Sequence, residues 1–146
     1  MKRLLLFVAA ALSVTTPIAA SGSQLGALKL AQASRNQTYL NVLNQGLSRL
    51  APAYLNVPDE DKLRYGHYAC QSLDAGMSFD TIFLNYAQAL IKDTPREQQS
   101  EAGSFVGLSI GAGVHSFCPE HMPQLMDWLK TRGFVSINQG VVKEGA

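Results

Sequence analysis

Two cysteines and three histidines are the side chains of this sequence whose types and spacing could do chemistry. His67 lies three residues before Cys70. His115 and His121 each lie three residues from Cys118, on opposite sides of it. Thiolate sulfur and imidazole nitrogen at short spacings are the ligands that zinc prefers in structural sites. Taken alone, the spacing indicates a metal site built from two cysteines and two histidines.

The first twenty residues have the layout of a secretory signal peptide. Lys2 and Arg3 supply positive charge, residues 4–14 form an apolar run, and small residues extend to Ala20. The run is shorter than the roughly 20 apolar residues that a membrane-spanning helix needs. We therefore expect residues 1–20 to be cleaved and the mature protein to be exported, whether secreted, periplasmic or held in the cell envelope. No stable membrane span is expected after cleavage.

Export changes the interpretation of the two cysteines. Compartments outside the cytosol are oxidising, so two cysteines in a small exported chain most economically form one disulfide rather than bind zinc. We predict a bridge between Cys70 and Cys118. In the chain-entropy model a loop of this length stabilises the fold by about 4 kcal/mol, which is a large share of the roughly 5–15 kcal/mol of a typical domain.

The histidines remain as weaker candidates for a site without sulfur. If the second and fourth helices run parallel, His67 and His115 both lie about one helical turn from the bridge, in the same direction. The two imidazoles could then face each other and hold a metal ion or haem, with His121 as a further weak candidate. The alternative is that all three are surface or hydrogen-bonded structural residues, and we expect no cofactor.

Residues 107–111 read Gly-Leu-Ser-Ile-Gly, which matches the nucleophile motif of serine hydrolases. That motif works where a strand turns sharply into a helix and where an acid and then a histidine follow in sequence. Here residues 95–106 have a helical pattern, and no histidine follows Asp127. We therefore interpret Ser109 as a chance match and expect no enzymatic activity.

Gly103, Gly107 and Gly111 recur every four residues and leave one side of the predicted fourth helix bare. Glycine weakens a helix by roughly 1 kcal/mol relative to Ala, so a close contact is expected to compensate. We predict close packing of this side against the second or third helix. The alternative is that a partner protein or a small apolar ligand lies along the glycines.

Apolar residues spaced for amphipathic helices predict an all-α fold. The expected helices cover residues 37–50, 58–75, 79–92, 95–116 and 122–131. They form a small bundle of four to five helices stapled by one disulfide. This helical domain spans residues 37–134, after a linker or loosely ordered start at 21–36 and before a flexible tail at 135–146.

Local signals set the expected helix ends. Gly76 suits the end of the second helix, and Ser78 suits the N-cap of the third. The fourth helix is expected to begin with a capping box, in which Thr94 is the cap, Pro95 is the first helical residue and Glu97 is the reciprocal partner.

A helix with the pattern Gly-x-x-x-Cys-x-x-Leu-x-x-Gly, followed by a second helix that carries Phe-Val and ends at Cys-Pro, resembles the domain of unknown function 732 family. These are small secreted proteins best represented in mycobacteria. The matching positions are Gly66, Cys70, Leu73, Gly76, Phe105, Val106, Cys118 and Pro119. The resemblance implies an exported helical domain in which Cys70 pairs with Cys118. The family has no assigned activity, so it implies no catalytic residue.

Charge and aromatic content narrow the possible partners. The chain has 12 basic and 11 acidic residues, and loss of Lys2 and Arg3 with the signal peptide changes the formal net charge from +1 to −1. No basic run is present to neutralise phosphates, so we expect no nucleic acid partner. Tyr65, Tyr68 and Tyr86 are candidates to line a groove for a sugar or a lipid, or to pack against neighbouring helices.

The function expected from the sequence is therefore broad. We expect an exported, disulfide-stapled helical domain that acts as a non-enzymatic binding or interaction module. Its partner is an unknown protein or a small apolar ligand. The alternative is an exported metal- or haem-binding protein that uses His67 and His115.

Overall fold

A computed structural model describes residues 22–132 of the protein. The predicted signal peptide and the predicted tail lie outside the described residues. Within residues 22–132 the structure has no strand, and its helices are α1 (Gly22–Leu50), α2 (Asp59–Asp74), α3 (Phe79–Ile91), α4 (Gln99–Phe117) and α5 (Met122–Thr131). The all-α prediction is confirmed. None of these helices combines the length and the hydropathy that a membrane crossing requires.

The central helix is α4, which separates two buried clusters. On one side Val106 and Ile110 pack with residues of α2, α3 and α5 around the disulfide. On the other side Phe105 and Ala112 pack against α1. Because α4 contributes to both clusters, most of its surface is covered by the rest of the chain.

The predicted disulfide is confirmed. Cys70 and Cys118 are bonded, with their Cα atoms 5.8 Å apart and a sequence separation of 48. Gly66 and Gly113 meet closer to the N-terminal ends of the same two helices. Since both contacts advance together along α2 and α4, the two helices run parallel, as the interpretation of the histidines assumed.

Two of the predicted helix ends are confirmed. The Ser78 hydroxyl accepts a hydrogen bond from the Thr81 amide at 3.2 Å, which caps the N-terminus of α3. Gly76 follows the end of α2 with a φ of +82°. This is the left-handed region that glycine adopts without a steric penalty, so the chain can turn directly from α2 into α3.

The predicted capping box of the fourth helix is wrong. The Thr94 hydroxyl donates to the Leu90 carbonyl at 2.6 Å instead of capping the following helix. Pro95 is extended, with a ψ of 148°, and a 3₁₀ turn at Arg96–Gln98 precedes α4. The carbonyls at the end of α3 have no partner inside their own helix, so one of them competes successfully for the hydroxyl.

The first helix is longer than its apolar pattern indicates. It begins at Gly22 rather than near residue 37, and residues 24–35 are all exposed. The segment predicted as a linker or a loosely ordered start is therefore helical from Gly22 onward. Its alanine, leucine, lysine and glutamine content favours a helix even where no face is buried.

A buried lysine joins α1, α2 and the connection between them. The Lys62 ammonium donates to Asn44 Oδ1 at 2.9 Å and to the Leu55 carbonyl at 2.8 Å. The Tyr39 hydroxyl in turn donates to the Lys62 carbonyl at 2.6 Å. Paired in this way, a buried cation is tolerated, and it holds α1 in register with α2.

Candidate functional site

The glycine repeat of α4 does not pack against a helix. A Cβ atom added at Gly103, Gly107 or Gly111 would meet no atom within 4 Å, apart from the helix's own backbone. The prediction of close packing against the second or third helix is therefore wrong. The neighbouring helices pack on the other sides of α4 and leave this side open.

The close helix contact uses a different pair of glycines. A Cβ at Gly113 would lie 2.9 Å from the Gly66 carbonyl oxygen, and a Cβ at Gly66 would lie 2.5 Å from the Tyr39 ring. Both distances are too short for a side chain. Gly113 is two residues after Gly111, which places it about 200° around the helix, on the side that α2 covers.

The open side of α4 is the floor of an apolar groove with a volume of about 650 Å³. We call it the glycine groove. Its floor is formed by small residues of α4, Ser100, Gly103, Ser104, Gly107 and Gly111, and Ile110 of the same helix also lines it. Its walls are large and mostly apolar, and they include Leu50, Leu108, Phe83, Leu125, Trp128 and Leu129. An open groove with a floor of small residues between such walls can accept an apolar ligand.

The wall formed by α3 and α5 is held in place by polar contacts at its rim. The Trp128 indole N–H donates to Asp80 Oδ1 at 2.7 Å. Arg132 pairs with the same carboxylate, and its guanidinium lies 5.6 Å from the centre of the Trp128 ring. These contacts fix the indole as one side of the groove, with the Arg132 guanidinium over its ring.

A second cavity, of about 550 Å³, lies where α2 and α3 approach the first half of α4. We call it the tyrosine groove, and its aromatic lining consists of Tyr54, Tyr65, Tyr68, Tyr86 and Phe105. The three tyrosines considered from the sequence are thus brought together. Tyr54 and Phe105 were missed for this role, because only the folded chain shows that the connection after α1 meets α4 here.

The structure does not bring His67 and His115 together. The His67 ring stacks on Phe117, with ring centroids 4.0 Å apart. Burial lowers the pKa of His67, which favours the neutral ring. His115 is exposed and lies two residues before Phe117, about 200° around α4. The surface that faces His67 therefore belongs to Phe117, and His115 points away from it.

His121 joins the end of α2 to the turn after the disulfide. Its ring nitrogens lie 3.0 Å from Asp74 Oδ1 and 3.2 Å from Gln124 Oε1, and the hydrogen bond to Asp74 raises the pKa of His121. Glu120 completes a group of three potential ligand side chains whose atoms lie within 4.8 Å of one another. Because hydrogen bonds already engage both ring nitrogens, we interpret His121 as a structural link.

Ser109, the serine of the hydrolase-like motif, is fully buried in the middle of α4. Its hydroxyl makes no hydrogen bond of good geometry within residues 22–132. It lies close to the Tyr39 hydroxyl, and it partly offsets the rise that burial causes in the pKa of Tyr39. The motif thus lies inside one continuous helix, whereas a nucleophile elbow needs a strand that turns into a helix.

The residues that carried the family resemblance serve packing and chain direction. Leu73, Phe105 and Val106 are buried in the two clusters beside α4. Gly76 turns the chain after α2. Pro119 begins the 3₁₀ turn that follows the disulfide. Each supports the fold, and none of them supplies a reactive group.

Fold and surface together define a small disulfide-bridged helical domain with two open grooves. The model of the family described as protein of unknown function (DUF732) matches residues 35–120, more than half of the chain. The chain therefore belongs to the DUF732 family. No curated protein and no solved structure matches it.

Proposed function

We propose that this DUF732 protein is an exported, non-enzymatic interaction module that binds an apolar helix of a partner protein in the glycine groove. The observation that carries the proposal is the open glycine face of α4. Gly103, Gly107 and Gly111 weaken the helix they belong to, by roughly 1 kcal/mol each relative to Ala. No described side chain or neighbouring backbone packs within 4 Å of their Cβ positions to offset that cost.

A helix fits the groove better than an irregular segment does. The floor runs from Ser100 to Gly111, about 16 Å along the axis of α4, which is the length of roughly three helical turns. Small residues repeated every four positions let a second helix backbone approach closely. Apolar walls on both sides then bury its side chains, as in other complexes where a helix lies in a groove.

Export and the absence of catalysis are supported by separate observations. The bond between Cys70 and Cys118 is the kind of bridge that persists in oxidising compartments outside the cytosol. Ser109 is buried within α4 and is not presented to a substrate. A binding role requires neither an exposed nucleophile nor a cofactor.

The test uses synthetic amphipathic helical peptides with a leucine and alanine face, added to the purified oxidised protein. Trp128 is the single tryptophan of the chain and lines the groove, so its fluorescence reports occupancy. We expect saturable binding that Gly107→Leu abolishes, since the added side chain fills the groove. The Gly107→Leu variant should melt at or above the temperature of the unchanged protein.

Leu84→Ala is the matched control, because Leu84 is an exposed residue of α3 that lines neither groove. It should bind the peptides as the unchanged protein does. Equal binding to the Gly107→Leu variant, or no saturable binding of any peptide, would contradict the proposal. Saturation by palmitate with no peptide binding would instead assign the groove to a small apolar ligand.

A further inference from the structure

Five aromatic rings form a continuous series along the tyrosine groove. Tyr54 stacks on Phe105 with centroids 4.8 Å apart, and Phe105 meets Tyr65 edge to face at 5.2 Å. Tyr65 meets Tyr86 edge to face at 5.1 Å, and Tyr86 contacts Tyr68 at 5.3 Å. Because each ring is held by the next, the lining is preorganised before any ligand arrives.

The buried and accessible rings have different roles. Phe105 and Tyr86 are buried, and the Tyr86 hydroxyl donates to the Tyr65 carbonyl. Tyr54 and Tyr65 are half-buried, and Tyr68 is 39% exposed. The hydroxyls of these three make no hydrogen bond within residues 22–132, although each ring is fixed by its neighbours. The groove therefore offers aromatic ring surface together with phenol groups that have no hydrogen-bond partner among the described residues.

Polar side chains complete the rim. Asp61 and Arg64 form an ion pair with each other, and both line the groove together with Asn85. Since the pair neutralises itself, the rim has hydrogen-bonding capacity without net charge. A tyrosine phenol is protonated at neutral pH, and burial raises the pKa of Tyr65 and Tyr86 further above their ordinary value.

We propose that the tyrosine groove binds a neutral carbohydrate, with a pyranose ring of an oligosaccharide lying against Tyr65 and Tyr68. A pyranose presents a flat face of C–H groups and a rim of uncharged hydroxyls. The aromatic rings of the groove can pack against the C–H face of the sugar. The phenol, carboxylate, guanidinium and amide groups can form hydrogen bonds with its hydroxyls. The cavity volume of about 550 Å³ lies within the roughly 300–1,000 Å³ of ligand pockets.

Other ligand chemistries fit the groove less well. An acyl chain would remove water from Asp61, Arg64 and Asn85 without giving them hydrogen bonds, which carries a free-energy cost. A quaternary ammonium ion would gain from the aromatic rings but has no donor or acceptor to offer to Asp61, Arg64 and Asn85. An uncharged sugar supplies hydroxyls to all three.

The inference is independent of the glycine groove, because Trp128 and the glycines of α4 do not line the tyrosine groove. A sugar bound here should change tyrosine side-chain resonances in NMR spectra while leaving Trp128 fluorescence unchanged. Failure of the sugar experiment therefore leaves the peptide experiment unaffected, and the reverse also holds.

The test titrates four neutral hexasaccharides, cellohexaose, maltohexaose, laminarihexaose and chitohexaose, into the oxidised protein, followed by calorimetry and NMR. We expect saturable binding of at least one of them. Tyr68→Ala should weaken it by about tenfold, which corresponds to ~1.4 kcal/mol. Tyr68→Phe should weaken it less, because the ring face remains and only the hydroxyl is lost.

Leu84→Ala and Gly107→Leu are the controls, and both should bind the saccharide as the unchanged protein does. Equal affinity for the Tyr68→Ala variant, provided its melting temperature is unchanged, would overturn the proposal. So would the absence of saturable binding by all four saccharides up to about 10 mM, tenfold above a weak Kd of ~1 mM. Binding of choline chloride in place of every saccharide would overturn it in favour of a cation site.

Discussion

Two sides of the same helix use glycine in opposite ways. On the side of α4 that faces α2, Gly113 is required because the Gly66 backbone occupies the space that a side chain would need. On the open side, Gly103, Gly107 and Gly111 have no such neighbour. Glycine at the first site stabilises the fold by allowing contact. At the other three positions glycine lowers stability. A partner molecule that packs against the open surface would account for glycine at these positions.

The largest effect is expected on the closed side, from removal of the disulfide. The double substitution Cys70→Ala and Cys118→Ala should lower the free energy of unfolding by about 4 kcal/mol, because the unfolded chain regains the entropy of an open loop. Urea unfolding followed by circular dichroism measures this change. A loss below about 1 kcal/mol would mean that the helices alone hold α2 against α4.

A smaller but substantial loss is expected from Gly66→Ala. The new methyl group would lie 2.5 Å from the Tyr39 ring and 2.9 Å from the Phe117 ring, so both must move. Overpacking of this kind typically costs about 1–3 kcal/mol, and we expect the upper part of that range. Gly26→Ala, in the exposed part of α1, has nothing within 4 Å and is the matched control. Equal stability of the two variants would show that the α2 contact is loose.

Ser109→Ala should not destabilise the protein and should stabilise it by at most about 1 kcal/mol, since the buried hydroxyl makes no hydrogen bond of good geometry and the nearby Tyr39 hydroxyl already donates to the Lys62 carbonyl. Urea unfolding again provides the measurement. Loss of the hydroxyl should also leave peptide binding in the glycine groove unchanged. A destabilised variant would mean that the hydroxyl makes a hydrogen bond in solution.

The pH dependence of stability should show the link between His121 and Asp74. The pKa of His121 is raised above its ordinary value of 6.5 by this hydrogen bond, so the folded protein binds the proton more tightly than the unfolded chain. The added stability is complete below the ordinary pKa and is lost as the pH rises through the folded value. The expected size is below about 1 kcal/mol, because the pair is largely at the surface.

The comparison that isolates this effect is between the unchanged protein and His121→Gln, unfolded in urea at about pH 5.5 and about pH 8, the range in which histidine titrates. The stability difference between the two proteins should be larger at the lower pH. The lowered pKa of His67 gives the opposite slope, but it is present in both proteins and cancels. A difference that grows toward the higher pH would contradict the assignment.

Periodicity and local signals predict the elements of this fold well where a helix buries a stripe. The buried Phe79, Ile82 and Tyr86 of α3 follow the expected spacing, and the cysteine pair follows from number and compartment. The starts of two helices are predicted less well. The pattern misses the start of α1, where no stripe is buried, and it misplaces the start of α4, where Thr94 bonds backward to Leu90.

The candidate sites were predictable only in part, because spacing shows which face of a helix is bare and not what lies opposite. Gly107 was correctly recognised as part of a strip, but the closeness of Gly66 to Gly113 depends on how α2 crosses α4. His67 and His115 have suggestive spacing from the cysteines, yet Phe117 occupies the position between the two helices. The contact between the two glycines and the separation of the two histidines both depend on how each helix is rotated about its own axis.

The most direct test of this account is to measure Gly107→Ala and Gly113→Ala side by side in urea. Gly107→Ala should increase the free energy of unfolding by about 0.5–1 kcal/mol, because an exposed helical glycine is replaced with no new contact. Gly113→Ala should decrease it by about 1–3 kcal/mol, because its methyl group would lie 2.9 Å from the Gly66 carbonyl oxygen. Opposite signs are the predicted result. Destabilisation of both proteins by similar amounts would contradict the account, because it would show that the glycine groove is closed in the folded protein.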